Sequence, residues 1–289
     1  MSSEDQKPDL ASTSEGHFSG EVFGTDAYSP RQIAERVESL GVTKARLGVI
    51  TTFSLAILAG GFIGLGAMFF TIVVSDSSLA FAAQRVLGGL VFSLGLILVI
   101  LAGAELFTGN NLLVMALVAG RITVRELLAN WTIVFLGNLV GAIGLTALVA
   151  LSGSWRMGHI GEAAIRLAAA KTTIPPLEAF VRGVLCNVLV CLAVWLTMGA
   201  RSTVDKIAAV LFPVTAFVAA GFEHSVANLY FIPLGIFLQQ MTPTSGVPDI
   251  TWTGFLHNIV PVSLGNIVGG SVMVGIVYSV IYRRGSRAQ

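Results

Sequence analysis

The sequence predicts an all-α protein with six membrane spans, two of them broken at mid-depth, arranged as two halves of opposite topology. Three observations carry this. The 289-residue chain is 54% hydrophobic and 11% charged, with several apolar runs long enough to cross a bilayer. Two of those runs are too long for one straight span, and each holds a single acid, Glu105 or Glu223. The two overlong runs share a motif, and so do the spans that follow them.

Met1 to Tyr28 is polar and rich in Ser, Asp, Glu and Gly, so residues 1–28 are expected to form a disordered tail with no cleavable signal peptide. Ser29-Pro30 then suits a helix start. Ile33, Val37 and Leu40 recur at helical spacing among Arg31, Glu35, Arg36 and Glu38, which predicts an amphipathic cytoplasmic helix over residues 29–46. It could lie on the membrane, on the protein's own cytoplasmic face or on a neighbouring subunit.

The membrane domain is expected over residues 47–283, with 47–151 and 176–283 as the repeats and 284–289 as a cytoplasmic tail. The first span, Leu47 to Val74, carries Gly60 and Gly64 at the small-residue spacing that lets helix backbones approach. In the second, Glu105 is the only charge between Arg85 and Arg121. A straight helix over that interval would reach roughly 50 Å against a hydrocarbon core of roughly 30 Å. A break at Gly103 to Asn110 follows, with half-helices near Val86–Gly103 and Asn111–Gly120. Glu105 there either pins the loop or meets solute.

The third span runs from about Leu127 to Leu151. A polar connection follows from Ser152 to Pro175, and Pro175-Pro176 starts the fourth span, to about Met198. The fifth is the second broken one, with Glu223 the only Asp, Glu, Lys or Arg between Lys206 and Asp249. The sixth covers about Phe255 to Tyr282. With both termini inside, Lys and Arg divide twelve to five in favour of the cytoplasm.

Gly103-Ala104-Glu105-Leu106-Phe107-Thr108-Gly109-Asn110 lies over Gly221-Phe222-Glu223-His224-Ser225-Val226-Ala227-Asn228, sharing Gly, Glu and Asn at equal spacing. The following spans share GNLVGA from Gly137 and GNIVGG from Gly265. The second copy begins three spans after the first, an odd number, so the halves are inverted, and solute paths in inverted repeats run where the broken helices meet. Half-helices starting near Asn111 and Ser225 would aim their positive ends at the pore centre and favour an anion. Cys186 and Cys191 sit five apart in one apolar run and cannot pair on a helix; they are read as core residues.

FSLGLILVILAGAELFTGN from Phe92, NWTIVFLGNLVGA from Asn130, AFVAAGFEHSVANLYFIPLGI from Ala216 and IVPVSLGNIVGG from Ile259 resemble the formate/nitrite transporter family, nearest to its formate channels. The resemblance implies an aquaporin-like inverted repeat in a homopentamer, each protomer with its own pore. It implies that Thr108 is the loop threonine at the pore centre and His224 the central histidine. Leu96, Leu106 and Ala227 match the family's cytoplasmic constriction, and Phe92, Val190 and Phe217 its periplasmic one. Lys171 resembles the vestibule lysine, and Asn187 and Asn266 the asparagines near the path. Glu223 is expected to be structural, bonded to loop amides or to Lys171. His224 is expected to steady a small monovalent anion or hand it a proton. Formate is the anion this resemblance implies, with nitrite or hydrosulfide as the alternative, since formate channels of the family often carry Asp where Glu105 stands.

A water or polyol channel is a rival reading, although no Asn-Pro-Ala occurs; a membrane enzyme using the Glu-His pair is another. No nucleotide loop or metal-ligand spacing is present, so no cofactor, metal or nucleic-acid partner is expected, only the anion, membrane lipid and other subunits.

Overall fold

In a computed structural model, which describes residues 27–242 and 246–284, every described element is helical. Residues 1–26 and 285–289, most of the two expected tails, lie outside the described residues. The elements are α1 Pro30–Ala45, α2 Val49–Val74, α3 Phe81–Leu101, a 3-10 turn Gly109–Leu113, α4 Val114–Val118, α5 Val124–Ser152, α6 Ile160–Thr172, α7 Pro176–Gly199, α8 Thr203–Ala219, α9 Ser225–Met241, α10 Trp252–Ile267, a π stretch Val268–Ile276 and α11 Val277–Arg284. Among the described residues, five helices are long and apolar enough to cross a membrane: α2, α3, α5, α7 and the continuous Trp252–Tyr282 run. The protein is therefore an integral membrane protein.

The amphipathic helix forms as its sequence dictates. Ser29 and Gln32 close a reciprocal capping box, and Pro30 fills the first turn. Its apolar face rests on the protein itself, where Ile33, Ala34 and Val37 pack with Leu112, Met115, Cys191 and Trp195. Tyr28, assigned from sequence to the tail, is held: its N–H donates to Gly199 O at 3.0 Å, and Arg36 and Arg201 stack over its ring at 4.1 and 4.2 Å. The Ser152–Pro175 connection also holds more order than expected, because α6 forms within it and packs on α9.

Both overlong spans break. The chain ends α3 at Ala102 and turns through Gly103 at φ +79°, and Ala104 N–H reaches back to Val99 O at 2.9 Å. It ends α8 at Ala220 and turns through Gly221 at φ +75°, and Phe222 N–H reaches Phe217 O at 3.0 Å. Both share the long bond of a Schellman closure and use glycine for the left-handed residue, and the α8 end adds the second bond, from Gly221 N–H to Val218 O at 3.1 Å. The resumptions differ: α9 has 17 residues, whereas α4 has five after its 3-10 turn.

Glycines bring the long helices into backbone contact. A Cβ on Gly141 of α5 would strike Ile57 O of α2, and one on Gly265 of α10 would strike Phe180 O of α7. Such contacts are how helices associate where lipid removes the hydrophobic drive between them. Gly141→Ala is expected to cost about 1–3 kcal/mol by overpacking, seen as a lower melting temperature of the detergent-solubilised protein. Gly144→Ala, which meets nothing within 4 Å, should leave it unchanged.

Candidate functional site

The first break leaves backbone groups bare, and Asn138 of α5 takes them up. Its Oδ1 accepts from Phe107 N–H at 2.9 Å, and its Nδ2 donates to Glu105 O at 2.9 Å and Ala56 O at 2.8 Å. The Glu105 carboxylate is 4% exposed and meets Lys44 Nζ at 2.8 Å and Asn110 Nδ2 at 2.6 Å. Asn110 also donates to Asn130 Oδ1 at 3.0 Å, and Asn130 donates to Lys44 O at 3.2 Å, closing a ring.

The second break repeats this arrangement. Asn266 Oδ1 accepts from Ser225 N–H at 2.9 Å, and its Nδ2 donates to Glu223 O at 3.0 Å and Gly183 O at 2.8 Å. Glu223, also 4% exposed, meets Lys171 Nζ at 2.8 Å and Asn228 Nδ2 at 2.6 Å. Asn228 donates to Asn258 Oδ1 at 2.7 Å, and Asn258 to Lys171 O at 2.9 Å. A carboxylate at this depth needs both a cation and hydrogen bonds, and each acid has them.

Between the breaks lies the central pair. His224 caps α9, its Nδ1 accepting from Ala227 N–H at 3.1 Å. An amide can only donate, so the ring proton of a neutral imidazole sits on Nε2, which is 3.0 Å from Thr108 Oγ1. Nε2–H then donates to that oxygen, and the threonine hydroxyl keeps its own proton for another acceptor. Thr108 and His224 are 0% and 3% exposed. Phe217 stacks on the imidazole at 5.9 Å, and Phe92 meets Phe217 edge-on at 5.8 Å. Asn187 ties the breaks together, with Nδ2 within 3.2 Å of Thr108 O, 2.8 Å of Asn111 Oδ1 and 2.7 Å of Asn266 O.

Two cavities approach this pair: His224 lines the second, and Gly109, next to Thr108 in the chain, lines the first, whereas Thr108 itself lines neither. The first, about 370 Å³, is lined by Leu96, Leu106, Lys44, Glu105 and the Val37 and Leu40 face of α1. The second, about 260 Å³, is lined by Phe92, Phe217, His224, Lys171, Glu223 and Arg85.

Most residues singled out from the sequence therefore gather here, with differences. Ala227, expected beside Leu96 and Leu106, lines the second cavity, because it lies in the first turn of α9 directly after His224. Val190, expected beside Phe92 and Phe217, lines neither cavity and is core. Asn187 and Asn266 line neither cavity; they hold backbone. Glu105 and Glu223 do line them, with both carboxylate oxygens already engaged.

Lys44, Asn130 and Asn258 were not singled out. A signal existed, since Asn130 and Asn258 each stand eight residues before the Asn of the repeated Gly-Asn pair. Lys44→Met would strand the Glu105 charge and is expected to cost about 3–5 kcal/mol. Lys44→Met with Glu105→Gln should regain most of that loss in a thermal melt.

Comparison with known proteins gives the family and the fold. A family model described as formate/nitrite transporter matches residues 31–280. The chain is 40% identical over 273 residues to the formate channel FocA of Escherichia coli K12, covering 90% of this chain and 96% of that one. It is 39% identical over 263 residues to the uncharacterized transporter YrhG of Bacillus subtilis, with the same coverage. A solved pentameric formate channel with formate bound superposes with a TM-score of 0.73 at 38% identity, over 81% of this chain and 98% of that one. An FNT family ion channel superposes with a TM-score of 0.78 at 31% identity, over 86% and 98%. These relatives are channels and transporters, so the chain is a transport protein and not an enzyme. With the family model spanning residues 31–280 and a formate channel 40% identical over 90% of this chain, the chain is a member of the formate/nitrite transporter family.

Proposed function

We propose that this protein conducts small monovalent anions, formate first among them, across a bacterial cytoplasmic membrane, as one protomer of a homopentamer. The observation that carries this reading is the Thr108–His224 hydrogen bond at 3.0 Å, set between two cavities. Counting α3 with α4, and α8 with α9, as single broken spans gives six crossings. The matched bonding of Asn138 and Asn266 supports two inverted halves. The Lys and Arg count puts both termini in the cytoplasm, with α1 under the first cavity.

An anion leaving either cavity meets apolar walls, Leu96 and Leu106 on one side and Phe92 and Phe217 on the other. These disfavour a bare charge. At the centre it finds the free proton of the Thr108 hydroxyl, the Nε2–H of His224 and the positive end of α9. His224 gives up its Nε2 proton to a carboxylate only as Nδ1 takes one from solvent in the second cavity, which His224 lines, and Nδ1 is engaged by Ala227 N–H. A proton-handing step therefore releases the α9 cap, whereas simple steadying of the anion leaves it closed.

Purified full-length protein in liposomes is expected to pass formate, and the same assay with nitrite, hydrosulfide, water and glycerol ranks the solutes. Flux of water or glycerol alone would defeat the anion reading. His224→Asn keeps a side chain able to cap Ala227 N–H but removes the titrating ring. Its formate flux should lose whatever pH dependence the wild-type flux shows. A variant with unchanged flux and unchanged pH profile would remove His224 from the mechanism.

A further inference from the structure

The two breaks match in their Lys, Glu and Asn rings and differ in one cation. Arg85 of α3 is half-buried and donates from Nη2 to Val218 O at 2.6 Å and from Nε to Ala219 O at 3.0 Å. These carbonyls end α8, where the helix dipole puts partial negative charge. The equivalent carbonyls at the end of α3, those of Ile100 and Leu101, receive no side-chain donor among the described residues.

Arg85 also faces the second cavity. That cavity is lined by three cations, Arg85, Lys171 and Arg182, of which Lys171 holds Glu223 at 2.8 Å and Arg182 pairs with Glu178 at 2.9 Å, so Arg85 is the one there with no carboxylate partner among the described residues. The first cavity has Lys44 against Glu105 and no further charge. A guanidinium carries five N–H donors, and two carbonyls do not exhaust them, so Arg85 keeps donors for a carboxylate.

We propose that Arg85 sets the anion preference of the second mouth. It cancels the carbonyl end of α8 and draws small monovalent anions, carboxylates above all, into the second cavity. This gives that mouth a pull that the first lacks. The inference rests on the anion-channel reading above and adds a residue and a direction to it.

The test compares wild type, Arg85→Gln and Arg85→Lys, each full-length in liposomes, for formate flux and for water flux. Measurements are made at about 0.01 M and about 1 M ionic strength, where the Debye length is about 30 Å and about 3 Å. At low salt Arg85→Gln is expected to lose formate flux by about tenfold. At high salt it should come within about twofold of wild type, with water flux unchanged throughout, and Arg85→Lys should retain most of the low-salt flux. A loss of equal size at both ionic strengths, or shared by water, means that Arg85 only caps α8 and overturns the proposal. So does an Arg85→Gln flux equal to wild type at low salt. Wild-type protein that passes no formate would instead sink the anion-channel reading and this inference with it.

Discussion

The structure depends on how bare backbone is satisfied where no water can reach it. Each break exposes amides and carbonyls at membrane depth, and in each a single asparagine from the following span supplies an acceptor and donors together. Asn138 serves Phe107 N–H and Glu105 O, and Asn266 serves Ser225 N–H and Glu223 O. A side-chain amide carries the same C=O acceptor and N–H donors as a peptide, so it replaces the interrupted helix ladder without adding charge.

The buried acids follow from the same constraint. Glu105 and Glu223 are themselves loop residues, and their carboxylates gather Lys44 or Lys171 and a second pair of asparagines. Each ring ties the loop to a peripheral helix, α1 or α6, and to the following span, α5 or α10. The lysines thus reach the cavity edges from short amphipathic helices outside the main bundle. With the loops fixed this way, His224 and Thr108 meet across the centre although 116 positions separate them.

Much of this was legible beforehand. The Glu-centred breaks, the paired Gly-Asn motifs and the amphipathic first helix follow from hydropathy, helix length and repeat spacing. The roles of Thr108, His224 and Lys171 came from resemblance, and their residues do converge on the two cavities or the layer between them. Of the rings around each acid, only the Lys171–Glu223 contact was expected from the sequence, and it forms at 2.8 Å; Lys44 and Glu105 were not legible as a pair, because 61 positions separate them. Nothing local in the chain marks those residues as partners. Helix α6 was hidden in a polar connection because its apolar face is narrow, made mostly of Ala164, Ile165, Ala168 and Ala169.

The sequence by itself determined that the chain enters a membrane, where its long helices run, and that two of them must snap, since those facts depend on hydrophobicity and length alone. Only the tertiary structure decided which way the cavity-lining side chains point. It placed Ala227 on the second cavity and kept Val190, in the middle of α7, off both cavities. It also decided that Arg85 answers the carbonyl end of a helix more than 100 residues away. Such pairings arise from packing between distant helices, and periodicity along a chain carries no record of them.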